Sequence, residues 1–116
     1  MKISLITDDQ QAQMLANGVR SGEDETHDPM PVVKLFTPDA GATWLLAEID
    51  PEDHDVAYGL CDLGLGNPEL GTVRFSEIAA LRGNLGLKVE RDQCFVPTKP
   101  ISEYAHLASA EGAIRA

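Results

Sequence analysis

The sequence predicts an α+β domain built on a mainly antiparallel sheet, a meander with helices at the N-terminus, in the middle and at the C-terminus. Three observations predict it. Side chains over 43–49 divide between two faces, Leu45, Ala47 and Ile49 against Trp44, Leu46 and Glu48, and over 56–62 Val56, Tyr58 and Leu60 divide from Ala57, Gly59 and Cys61, the period-2 pattern of strands. The intervening Asp50-Pro51-Glu52-Asp53-His54-Asp55 is short enough for a hairpin, and hairpin-joined strands pair antiparallel rather than through the long crossovers of a parallel sheet. Helix-opening residues, Thr7, Ser76 and Ser102, stand outside that pair of strands.

The elements follow in order. Thr7-Asp8-Asp9-Gln10 opens the first helix: Thr7 is the N-cap, Gln10 holds the reciprocal capping-box position, and Asp8 and Asp9 complement the positive end of the dipole. Met14 and Leu15 give it a short apolar face, and Gly18 is expected as its C-terminal cap. Residues 21–30, polar and acidic, are expected to form a mobile loop. Pro31-Val32-Val33-Lys34-Leu35-Phe36 reads as a strand closed by the turn cluster Thr37-Pro38-Asp39-Ala40-Gly41. In the next hairpin a simple register pairs Ile49 with Val56, Ala47 with Tyr58 and Leu45 with Leu60, which makes that face the core. Trp44, Leu46, Glu48, Ala57, Gly59 and Cys61 then share the opposite face. After a glycine-rich loop, residues 71–75 form a third strand of the meander, and Ser76 caps a short helix stopped by Gly83. Residues 87–96 read as an edge strand, because Lys88, Glu90, Arg91 and Asp92 make it heavily charged. Pro97 and Pro100 break it, and Ser102 caps a last helix in which Tyr104, Leu107 and Ala108 repeat at helical spacing.

With 116 residues the chain is expected to be one domain, 1–116, with a modest core that needs no metal or disulfide staple. Nineteen acidic against nine basic residues give a formal charge of −10, which repels phosphate backbones and anionic headgroups, so direct nucleic-acid binding is not expected. Solubility is the plain reading of that charge. A DNA mimic would need a regular array, whereas Glu23, Asp24, Glu25 and Asp28, then Asp50, Glu52, Asp53 and Asp55, fall in clusters. The opening Met-Lys-Ile-Ser-Leu-Ile is too short for a signal segment, and no apolar run approaches the ~18 residues of a membrane helix. No membrane contact is expected, and the expected compartment is the cytoplasm. Cys61 and Cys94 fit reduced, core-type thiols, and His27, His54 and His106 form no zinc spacing.

The glycine-rich stretch Cys61-Asp62-Leu63-Gly64-Leu65-Gly66-Asn67-Pro68-Glu69-Leu70-Gly71 is the most unusual in the chain. It is no dinucleotide fingerprint, since Glu69 occupies the position of the third glycine and no helix opens there. No glycine is followed by the Lys-Ser or Lys-Thr of a phosphate loop, and the serines read as caps or terminal polar residues rather than nucleophiles. The best constellation is acidic: Glu48, Asp62 and Glu69, with Asp50 and His54 in the hairpin, could supply oxygen ligands to a hard cation. Turn formation by the same carboxylates is the plainer reading.

The blocks Leu5-Ile6-Thr7-Asp8, Pro31-Val32-Val33-Lys34-Leu35-Phe36-Thr37-Pro38, Thr43-Trp44-Leu45-Leu46-Ala47-Glu48 and Gly59-Leu60-Cys61-Asp62-Leu63-Gly64-Leu65-Gly66, through Pro68-Glu69-Leu70-Gly71, give the chain a family likeness. It resembles a bacterial family known as a domain of unknown function, DUF2958-like, often met on plasmids and integrative elements. The resemblance implies a small cytoplasmic accessory protein of mobile DNA that acts on host defence or transfer machinery through protein contacts, and it brings no catalytic residue and no cofactor. The leading expectation is a non-enzymatic binding protein, monomeric or homodimeric, with a protein partner and a working face of Trp44, Glu48, Asp62, Gly64, Gly66 and Glu69. The alternatives are a metal-dependent hydrolase using Glu48, Asp62 and Glu69 and an acidic mimic of DNA.

Overall fold

A computed structural model describes residues 4–116; the expectation about a signal segment rests partly on residues 1–3, outside the described residues. Helix α1 (Asp8–Glu23) opens with the capping box read from the sequence. The Gln10 backbone N–H donates to Thr7 Oγ1 at 3.1 Å, and the Thr7 N–H donates to Gln10 Oε1 at 2.9 Å, so two N–H groups that no helical carbonyl can reach are satisfied. Gly18 does not end this helix. A Cβ placed there would lie 2.0 Å from the Ile49 carbonyl oxygen, so the glycine is present because the helix lies against the backbone of a strand. Ser21 and Gly22 consequently belong to the last helical turn, and the loop expected over 21–30 starts only at Asp24.

The sheet contains β1 (Val33–Phe36), β2 (Thr43–Asp50), β3 (Asp53–Asp62), β4 (Glu69–Arg74) and β5 (Glu90–Arg91), in the order β4-β3-β2-β1-β5 with antiparallel neighbours throughout. Helix α2 (Phe75–Ala80) follows β4, and α3 (Ile101–Glu111) follows β5. The α+β architecture read from the sequence is thus the observed one. The β2–β3 turn is tighter than expected: Asp50 pairs with Asp53, leaving Pro51-Glu52 as the turn.

The predicted hairpin register holds for Leu45 and Leu60 and fails beyond. A bulge between Leu46 and Glu48 leaves Ala47 without a partner residue, so Glu48 pairs with Tyr58 and Ile49 with Ala57. One extra residue on one strand shifts every later side chain to the other face. Ile49 therefore joins Trp44, Leu46 and Ala57 in a cluster with Met14 of α1 and Phe75 and Ile78 of α2. Leu45, Ala47 and Leu60 form a second cluster with Ile101, Tyr104 and Ala108 of α3. The sheet is buried on both faces, and each apolar stripe has its own helical cover.

Neither serine expected to cap a helix is an N-cap. Arg74 and Pro100 hold those positions, and neither makes a capping hydrogen bond with its side chain. The first-turn donors go instead to carboxylates remote in sequence. Ser76 N–H and Oγ donate to Asp55 at 2.9 and 2.6 Å, and Ser102 N–H and Oγ donate to Asp28. The edge strand expected over 87–96 shrinks to two residues. The chain before it is gathered around Asp39, whose Oδ2 accepts from Leu85 N–H at 2.6 Å and Leu87 N–H at 3.1 Å.

Candidate functional site

The bulge in β2 also lies at a polar cluster that joins three segments of the chain. Past Val33 the chain of β1 departs, and the exposed side of β2 is covered by α1. Asn17 Nδ2, 8% exposed, donates to the Ala47 carbonyl at 2.9 Å, which satisfies an acceptor the bulge leaves over. Ser21, four residues on and on the same side of the helix, donates from Oγ to Glu48 Oε2 at 2.8 Å. His27 Nδ1 lies 2.9 Å from the same Oγ. A hydroxyl has one proton, so with that proton on Glu48 the Nδ1–H of His27 is the donor to Ser21.

Glu48 faces Tyr58 across β2 and β3, and Tyr58 faces Thr72 across β3 and β4, so the three form one row. A cleft of ≈ 330 Å³ opens over them, with Ser21 and Gly22 of α1 in its wall. Burial pushes the Tyr58 phenol above its usual pKa, and the carboxylates of Glu48 and Asp28 push it further. It is therefore a neutral hydroxyl over the whole physiological range. The Ser21, His27 and Glu48 arrangement is not that of a hydrolase, because the carboxylate holds the serine and leaves the imidazole unoriented. What it does achieve is a fixed carboxylate at the floor of a cleft.

The residues predicted from sequence separate into three places. Trp44 is 2% exposed, between α1 and α2 in the core, so it cannot contact a partner; its assignment to a working face is corrected by the packing of those helices over that side of the sheet. Glu48 stands in the cleft. Asp62, Gly64, Gly66 and Glu69 lie at the far end of the hairpin, where Asp62 pairs with Thr43 and Cys61 with Glu69. The three carboxylates of the hydrolase reading are therefore not brought together, and no group of three or more His, Cys, Asp or Glu suited to a metal occurs among the described residues. Burial pushes the Cys61 thiol up to about 11, which keeps it in the less nucleophilic protonated form.

Asp62 is 3% exposed and occupied at both oxygens: Gly64 N–H donates to Oδ1 at 2.8 Å and Ile114 N–H to Oδ2 at 3.0 Å. It ties the glycine loop to the segment after α3. Gly64 and Gly66 have φ of 80° and 87°, a region closed to most side chains. In this loop Leu63 and Leu65 are 61% and 79% exposed, and Leu70, the second residue of β4, is 40% exposed. Strand β4 is an outer strand of the sheet, and no strand of the described residues pairs with its far side. Its basic residue, Arg74, is engaged by Asp53 at 3.1 Å and Asp55 at 3.6 Å.

Sequence reasoning missed Ser21, His27 and Tyr58. Their only local signal is the i, i+4 spacing of Asn17 and Ser21, and the bulge that brings Glu48 to them leaves no mark in the alternation. A family model described as protein of unknown function (DUF2958) matches residues 5–115. No curated protein and no solved structure matches the chain.

Proposed function

The chain belongs to the DUF2958 family of proteins of unknown function, and from that premise we propose that it is a non-enzymatic binding domain that takes an extended, basic segment of another protein onto the edge of β4. The observation that carries this reading is the open side of β4 flanked by exposed Leu63, Leu65 and Leu70. Natural sheets usually guard such an edge with lysine, proline or a covering loop. Strand addition supplies main-chain hydrogen bonds at the edge, while apolar contacts at alternate side chains give selectivity. Charge chooses the occupant. At −10 overall, with Glu69 exposed at the start of the strand, the edge repels a second copy of itself and attracts a cationic segment.

The test selects binders from a displayed library of random peptides and maps the amides they protect by hydrogen exchange. Basic peptides with alternating apolar residues that slow exchange in β4 (Glu69–Arg74) are the expected result, with binding weakened in Leu63→Ser/Leu65→Ser. Acidic or patternless peptides, protection elsewhere, or a dimer formed through β4 would overturn it. We also propose, from the likeness of the sequence blocks, a cytoplasmic role as an accessory protein of mobile DNA. Family members encoded mainly away from plasmids and integrative elements would count against that setting. No helix of the described residues is long and apolar enough to cross a membrane.

A further inference from the structure

We propose that the cleft beside Glu48 is a binding site for a guanidinium group. Its floor is a carboxylate already fixed in place: Ser21 Oγ holds Oε2 at 2.8 Å, and His27 steadies Ser21 at 2.9 Å. Glu48 Oε1 accepts no hydrogen bond among the described residues. Tyr58 and Thr72 follow Glu48 in the same row, and both line the cleft. No Lys or Arg lines the cleft of ≈ 330 Å³, which has room for a planar side-chain head.

The chemistry selects among occupants. An anion is refused by Glu48 and by Asp50 at the rim. A hard metal ion lacks a ligand set, since no group of three or more His, Cys, Asp or Glu suited to one occurs among the described residues. A cationic head is favoured by the carboxylate with an aromatic residue, Tyr58, in the same lining, and guanidinium is favoured over ammonium because its planar fork can donate to a carboxylate and stack on an aromatic ring at once. The inference does not depend on strand addition at β4, which the cleft touches only through Thr72.

The test is a titration of the isotope-labelled protein, followed by amide NMR, with N-acetyl-arginine amide, its uncharged isostere N-acetyl-citrulline amide, and N-acetyl-lysine amide. Saturable shifts at Ser21, Gly22, Tyr58 and Thr72 with the arginine probe alone are expected. Glu48→Gln, whose amide oxygen still accepts from Ser21, should weaken that binding about tenfold or more through loss of the charge-assisted bond. Absence of those shifts, equal binding of the citrulline probe, equal binding of the lysine probe, or undiminished binding by a folded Glu48→Gln would each overturn the assignment. Binding of an arginine-bearing peptide but not of the single amino-acid probe would also overturn it, since the contacts would then lie outside the cleft.

Discussion

Asp62 shows how a carboxylate that looks available in the sequence is spent on the fold. Both oxygens accept backbone N–H groups, from Gly64 and Ile114, and a backbone donor deprived of its acceptor in a partly closed site costs roughly 1–3 kcal/mol. Asp62→Ala is therefore expected to lower stability by about 2 kcal/mol in urea unfolding and to speed hydrogen exchange at Ile114. Two glycines of α1 should respond with opposite signs. At Gly18 a Cβ would meet the Ile49 carbonyl oxygen at 2.0 Å, whereas at Gly22 it would meet nothing within 4 Å. Gly18→Ala must push helix from strand and should destabilise by about 1–3 kcal/mol, the usual cost of overpacking. Gly22→Ala should raise the melting temperature slightly, by removing backbone freedom from the unfolded chain. Nothing in the residue type separates the two glycines; only the approach of β2 does.

At the scale of elements, the devices legible in the sequence are the ones completed within a few residues. Thr7 and Gln10 cap α1 across three positions, and the structure has that pair as read. The caps of α2 and α3 are not local. Ser76 and Ser102 present their hydroxyls and N–H groups to Asp55 and Asp28, members of the two acidic clusters and remote in sequence from the helices they serve. The same limit explains the misplaced half of the β2–β3 register: alternation predicts a face only until a bulge inserts a residue, and Ala47 carries no side-chain signal of being that residue. Asp55 gives this arrangement a pH dependence. The Ser76 hydroxyl bond, with help from the Ser76 N–H and Arg74, holds its carboxyl below the ordinary value of 3.8. A depressed folded pKa means stabilisation that is present above the unfolded value and lost as pH falls through the folded one. Melting curves of wild type and Asp55→Ala should differ by a constant amount above about pH 5, begin to approach each other below that, and converge only once the pH is under the depressed folded value. A gap that persists into strong acid would show that Asp55 acts through packing instead.

Across the whole molecule, antiparallel topology, strand block and flanking helices were legible because the two strand segments 43–49 and 56–62 are joined by a turn too short for a crossover and are flanked by helix-opening residues. The cleft was not, since it depends on α1, β2, β3 and the segment after α1 meeting at Glu48, contacts separated by up to tens of positions. The acidic balance has its own global consequence. It guards the open side of β4 only while the carboxylates are charged, and the sequence isoelectric point is ≈ 4.5. Near that pH, light scattering should detect association that added salt does not dissolve, and Leu63→Ser/Leu65→Ser should suppress it. The long-range caps also order the folding reaction in time. Helix α1 contains its own start signal and can flicker into existence in the unfolded chain, whereas the six-residue α2 and the α3 that begins beside Asp28 have no first-turn acceptor until β3 and the segment after α1 are in position. Substitutions in α1 should accordingly slow folding, and those at Ser76 or Ser102 should chiefly quicken unfolding, leaving the last two helices as the late steps of assembly.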